Sequence, residues 1–195
     1  MARRIQNPHH HVRQHVAGSA IRRVESPTVA GTPIQRGSFE SASLPAGALI
    51  VLVGTSGSGK STLARRLFVD TQIVSSDRIR AWISDNESEQ SVSARAFEVL
   101  HLLVRSRLEL GRMTVVDATS VSRASRAQLL DVARATGRPA IAVVLDVSVE
   151  ECVARDAVRT DRHVGRAVIE LQRRSLDASL PEIVNEGFDE IRIVD

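Results

Sequence analysis

The 195-residue sequence has one cysteine, Cys152, so no disulfide can form within the chain. That usage fits a reducing compartment, and a cytoplasmic location is expected. Cys152 itself is expected to pack rather than react. Tyrosine is absent, and four Phe and one Trp are the only aromatics. Platforms on which nucleobases could stack are therefore scarce, and Trp82 is expected to be a helix packing residue. No run of about 18 apolar residues occurs, so no membrane partner or span is expected. Met1 to Ala20 is polar, holds four histidines and lacks the apolar core of a secretion signal.

Lysine is the most informative scarcity. Of 26 basic residues, 25 are Arg, and Lys60 is the only lysine. A compact ammonium fits between phosphate oxygens where a planar guanidinium does not. A guanine-reading Asn-Lys-x-Asp motif cannot exist in a chain whose one lysine lies elsewhere, which excludes a Ras-like GTPase. A motor ATPase is usually longer, with sensor and arginine-finger elements.

The charge is uneven. Residues 1–45 carry six Arg and two Glu, and the remainder is close to neutral, with 20 basic and 21 acidic residues. The first 45 residues show no apolar period and are broken by Pro and Gly, so a disordered or loosely ordered basic arm is expected there. His9, His10, His11 and His15 in it are read as a solvated polar tail. The globular domain is expected over residues 46–195.

From Ala46 the pattern becomes regular. Ala48 to Val53 is a continuous apolar run suited to a buried parallel strand. Ser61 to Phe68 reads as helix, Gln72 to Ser75 as strand, and the stretch around Arg78 to Ile83 as helix. Ala94 to Leu110 reads as an amphipathic helix with Phe97, Leu100, Leu103, Val104 and Leu108 near one face, capped at Gly111. Met113 to Asp117 is a strand, Arg123 to Thr136 a helix and Pro139 to Asp146 a strand. Ser148 and Glu151 form a capping box that opens another helix. Thr160 to Gly165 interrupts it, Arg166 to Leu180 resumes as helix, and Phe188 to Val194 is the last strand. Alternating strands and helices imply an α/β fold, here a five-stranded parallel sheet with helices on both faces.

The strand at Ala48 to Val53 runs into GTSGSGKST, which matches the P-loop (Walker A) spacing Gly54-x4-Gly59-Lys60-Ser61. Gly54, Thr55, Ser56, Gly57, Ser58, Gly59, Lys60, Ser61 and Thr62 are expected to cradle the phosphates of ATP or another NTP through backbone N–H groups and the helix N-terminus. Lys60 would meet the β and γ phosphates, and Ser61 would ligate Mg²⁺. Asp117, at the end of the strand in TVVDAT, is placed to hold the same ion.

Asp77, in VSSDRIR, follows the second strand and so sits at the carboxyl edge of the sheet. A carboxylate there can accept a hydroxyl proton and aim the oxygen at the γ phosphate. Arg80, one helical turn on, shares its side and could bind an acceptor's phosphate. In ARDAVRTDRHVGR, Arg155 and Arg159 are four apart and are expected to share a helix face, with Arg162 in the interruption. The three form a lid candidate that would neutralise transition-state charge.

From about Leu49 to Val194 the sequence resembles the 5′-kinase domain of bacterial polynucleotide kinase-phosphatase, an RNA-repair enzyme. The resemblance lies in GTSGSGKST, IVSSDRIR, the acidic SDNESEQSVS link, AFEVLHLLVRSRLELGRMTVVDATS and VRTDRHV. It implies a P-loop phosphotransferase fold, an NTP–Mg²⁺ donor and a 5′-hydroxyl nucleic-acid acceptor, and it suggests self-association to a homo-oligomer. It carries Lys60, Ser61, Asp77, Arg80, Asp117, Arg155, Arg159 and Arg162 into the site. Ser120 departs from the family, which usually has Asn after DAT. The near-neutral body and few aromatics motivate one alternative, a small-molecule hydroxyl kinase of the same fold; a second alternative is a non-catalytic nucleotide-binding module with the basic tail as a docking arm.

Overall fold

A computed structural model describes residues 32–37, 39–160 and 162–194. The four tail histidines and most of the expected arm lie outside the described residues.

Six parallel strands form one sheet. They are β1 (Ile34–Arg36), β2 (Leu49–Val53), β3 (Ile73–Ser75), β4 (Thr114–Asp117), β5 (Ala140–Leu145) and β6 (Glu190–Val194), in the order β1-β6-β5-β2-β4-β3. The helices are α1 (Lys60–Leu67), α2 (Ser76–Ser84), α3 (Ser93–Glu109), α4 (Arg123–Thr136), α5 (Val149–Ala157) and α6 (Arg166–Ser179).

The sheet has one strand more than the five expected. The extra strand, β1, comes from within the segment read as an arm. It pairs with β6, and the Thr32 hydroxyl donates to the carbonyls of Val184 and Phe188 at 3.1 and 3.0 Å. Its three residues are all exposed, so no apolar alternation marks it as strand.

β2 is the centre of the molecule, and all five of its residues are fully buried. Its alternation divides the core in two. Leu49, Val51 and Val53 face α3 and α4, packing on Leu100, Val104, Leu129 and Leu130. Ile50 and Leu52 face the opposite layer, with Leu63 and Ala64 of α1, Cys152 of α5 and Ile169 of α6. Each Leu, Ile or Val among them contributes about 1.5–3 kcal/mol by leaving water. Cys152 thus packs, as its type predicts.

The side chains that α3 buries are Ala96, Leu100, Val104 and Leu108. Phe97 and Leu103, expected on the buried face, are 37% and 36% exposed. The apolar stripe is wider than the face the sheet can cover. Trp82 departs further from the expectation of a packing residue: it is 67% exposed on α2. Among the described residues, no helix is long and apolar enough to cross a membrane.

Candidate active site

After β2 the chain crosses to β3 at one side of the sheet, whereas β5 lies on the other side of β2. This reversal opens a crevice above the carboxyl ends of the strands. The loop of residues 54–59 fills its floor. Gly57 has φ +81°, and a Cβ there would lie 2.3 Å from the Cys152 carbonyl oxygen of α5. Gly59, at φ +98°, turns the chain into the first residue of α1. Only glycine adopts both conformations without strain. Ser56 N–H donates to the Gln172 Oε1 of α6 at 2.7 Å, and Thr55 Oγ1 lies 3.2 Å from Cys152 Sγ.

Lys60 is buried, and its Nζ donates to the carbonyls of Gly54 and Thr55 at 2.8 and 2.7 Å. Burial lowers its pKa to about 8, against the opposing pull of Asp117 and Asp77. Asp117 ends β4 beside it. Burial raises its pKa, while a hydrogen bond from Ser61 and the charge of Lys60 act the other way.

Asp77 sits in the first turn of α2, which begins at a Ser75 cap whose hydroxyl accepts from Arg78 N–H. The positive end of the helix suits a carboxylate there. Arg80 pairs with Asp77 Oδ1, and Arg162 Nη1 reaches the same oxygen at 2.7 Å. Arg80 is 4% exposed and its Nε donates to the Glu87 carbonyl at 2.9 Å. It is held against Asp77, on the side of α2 that the two share. Desolvation lowers its pKa.

A cavity of about 330 Å³ joins these groups. It is lined by Lys60, Ser61, Asp77 and Asp117, by other P-loop residues (Ser56, Gly57, Gly59, Thr62) and by Arg155, Arg159 and Arg162. Gly54, Thr55 and Ser58 lie beneath, buried. Arg155 is on α5, where its Nη1 donates to the Ser58 carbonyl at 3.4 Å. Arg159 lies past the end of α5, so the two share the cavity but not a helix face as expected.

Four residues escaped the sequence reading. Arg65 also lines the cavity; its spacing of four from Ser61 on α1 was a usable signal. Gln172, Asp156 and Arg126 gave none, because their partners are distant in sequence or are backbone groups. Asp156 is 3% exposed, and its carboxylate accepts from Val164 N–H at 3.0 Å and Gly165 N–H at 2.9 Å. Its own carbonyl lies 2.8 Å from His163 Nδ1. Those contacts fold the arginine-bearing loop back onto α5. Arg126 is fully buried, paired with Glu186 at 2.6 and 2.7 Å, and donates to the carbonyls of Ser120 and Val121. Ser120 has φ +45°, a conformation Asn adopts more readily than Ser, and this brace holds it there.

The fold has counterparts among solved structures. The chain is similar to one in the Pnkp1/Rnl/Hen1 RNA repair complex, at 26% identity and TM-score 0.59, covering 75% of this chain and 49% of that one. It is similar to one in AvrRxo1-ORF1:AvrRxo1-ORF2 with sulphate ions, at 15% identity and TM-score 0.58, over 71% of this chain and 50% of that one. A Mycobacterium tuberculosis APS kinase, CysC, in complex with AMPPNP and APS aligns at 19% identity and TM-score 0.48, over 77% of this chain and 90% of that one. The chain spans about half the length of the first two. No curated protein is matched. The fold is that of the P-loop kinases. Residues 49–179 match the family model described as AAA domain, and the chain belongs to that family.

Proposed function

We propose that the protein is an ATP-dependent kinase that moves the γ-phosphate to the 5′-hydroxyl of a polynucleotide. The observation that carries this reading is one cavity holding a P-loop lysine, the Asp77 carboxylate and three lid arginines together. The 26% identity to a chain of an RNA repair complex supports the nucleic-acid acceptor.

The residues fit Mg²⁺. Ser61 and Asp117 offer a hydroxyl and a carboxylate, the hard oxygen donors this ion takes, and they line the same cavity. When bound, the ion would neutralise charge on the phosphate oxygens.

The loop amides and the positive end of α1 hold the triphosphate. Lys60 exchanges its two carbonyl partners for the β- and γ-phosphate oxygens. Asp77 accepts the proton of the acceptor hydroxyl, whose oxygen bonds to the γ phosphorus. The bond from that phosphorus to the β–γ bridging oxygen breaks, and ADP leaves. Arg80 positions Asp77, while Arg155, Arg159 and Arg162 offset the charge that develops on the transferred group.

One observation favours a small hydroxyl compound as acceptor instead. Trp82, the aromatic nearest Asp77 in sequence, lines a different cavity, and no aromatic lines the one that holds Asp77. Incubation with γ-labelled ATP and 5′-hydroxyl RNA or DNA oligonucleotides tests the two readings. Label on the oligonucleotide 5′ end is expected. Label on small hydroxyl compounds alone would favour the second reading.

A further inference from the structure

Two cavities flank the start of α2. Ser76 and Asp77 line the one that holds the P-loop. Ser75 and Arg78, on either side of them in sequence, line a second cavity of about 350 Å³. Its walls come from β3, the edge strand of the sheet, and from α2 and α3.

Trp82 forms part of that wall and is 67% exposed. The Arg78 guanidinium lies over its ring, 5.6 Å from the centre. Arg78 is itself fixed by both carboxylate oxygens of Asp70, at 2.6 and 3.0 Å. An indole set in a cavity wall and open to solvent is a platform on which a nucleobase stacks, whatever the sequence.

The charges nearby are of one sign. Arg78 and Arg107 line the second cavity, against Asp70 as its one carboxylate. The Arg78 hydrogen bond lowers the Asp70 pKa, and Arg65 adds its charge from the wall of the first cavity. Burial lowers the pKa of Arg107, and the charge of Arg112 lowers it further. Four arginines thus accompany one carboxylate, in a domain that is close to neutral from residue 46 on. Arg65 and Arg112 are exposed. Among the described residues, neither takes part in an ion pair. Such an excess suits a phosphodiester chain.

Trp82 lies five residues beyond Asp77 on α2, about 7.5 Å along the helix axis. With a terminal hydroxyl at Asp77, the base that meets Trp82 belongs to a nucleotide just inside the terminal one. A small hydroxyl compound would end within the first cavity and leave the second empty.

We propose that the second cavity is a strand-binding subsite, in which a base inside the reacting end stacks on Trp82 and the phosphates beside it meet Arg65 and Arg112. This subsite rests on the polynucleotide reading of the Asp77 site, and adds to it a preference for acceptors longer than a dinucleotide.

Trp82 is the only tryptophan of the chain, so indole emission reports on this place alone. Single-stranded 5′-hydroxyl DNA of two and of eight nucleotides is titrated into the full chain without ATP. The octamer is expected to quench the emission saturably, and the dinucleotide to leave it unchanged. In steady-state transfer from ATP, Trp82→Ala is expected to raise KM for the octamer about tenfold at unchanged kcat and unchanged circular dichroism. KM for the dinucleotide stays the same, and Trp82→Phe restores most of the octamer's advantage. An octamer that is phosphorylated without quenching, or with the same KM in Trp82→Ala, overturns the subsite and leaves the acceptor reading intact. Label on small hydroxyl compounds and on neither oligonucleotide overturns both.

Discussion

At Gly57 the chain has no room for one more carbon. A methyl group there would sit 2.3 Å from the Cys152 carbonyl oxygen, at a φ of +81° that side chains rarely adopt. Either the loop or α5 must move. Gly57→Ala is therefore expected to destabilise the protein by about 1–3 kcal/mol, and to weaken ATP binding by displacing the loop amides. Thermal unfolding and ATP titration check this, and a variant with wild-type values in both would contradict the packing described. A second residue sets an acid limit on stability. Burial lowers the pKa of His101, on α3, with a hydrogen bond to Gln128 opposing it. Below pH 6.5 the unfolded chain takes up a proton at this position that the folded protein resists until lower pH. Stability is thus lost as pH falls below 6.5. His101→Gln is expected to flatten that slope, as read from denaturant midpoints between pH 5 and pH 7.

At the scale of elements, the Asp156 carboxylate ties down the far end of the arginine-bearing loop. Asp156 accepts from the backbone amides of Val164 and Gly165 and so joins the end of α5 to the start of α6 across the arginine-bearing turn. Asp156→Asn keeps the shape but loses the charge and one acceptor. Phosphotransfer is expected to fall about tenfold or more, because misplaced lid groups stabilise the transition state poorly, while the melting temperature changes little. Steady-state kinetics beside a melting curve separates the two effects. The helices and long strands were legible because each obeys a period: β2 reads as an unbroken apolar run, and α4 runs from Arg123 to Thr136 as its pattern predicts. β1 was not, since three exposed residues carry no pattern and are fixed by pairing to β6. Nor could the sequence show that α5 stops at Ala157, before Arg159. That end is set by a turn whose key bonds go to Asp156.

At the scale of the molecule, the sheet order explains why residues distant in sequence converge. β2, β4 and β3 are neighbours, so the P-loop, Asp117 and Asp77 emerge side by side from their carboxyl ends. The motif spacing made that convergence readable, because each residue follows a strand. The supports behind it were not readable. Gln172 on the Ser56 amide, and Arg126 with Glu186 beneath Ser120, depend on how α6 and the segment after it return to the sheet. In the proposed reaction, Asp77 activates an acceptor hydroxyl beside a triphosphate held by Lys60. Its most direct measurement is transfer of labelled γ-phosphate to a 5′-hydroxyl oligonucleotide by the wild type and by Asp77→Asn, with ATP affinity measured in parallel. The expected result is label on the oligonucleotide with the wild type and a loss of about 10²–10⁴-fold in the variant, at unchanged ATP affinity. Equal transfer by the two proteins would contradict the account.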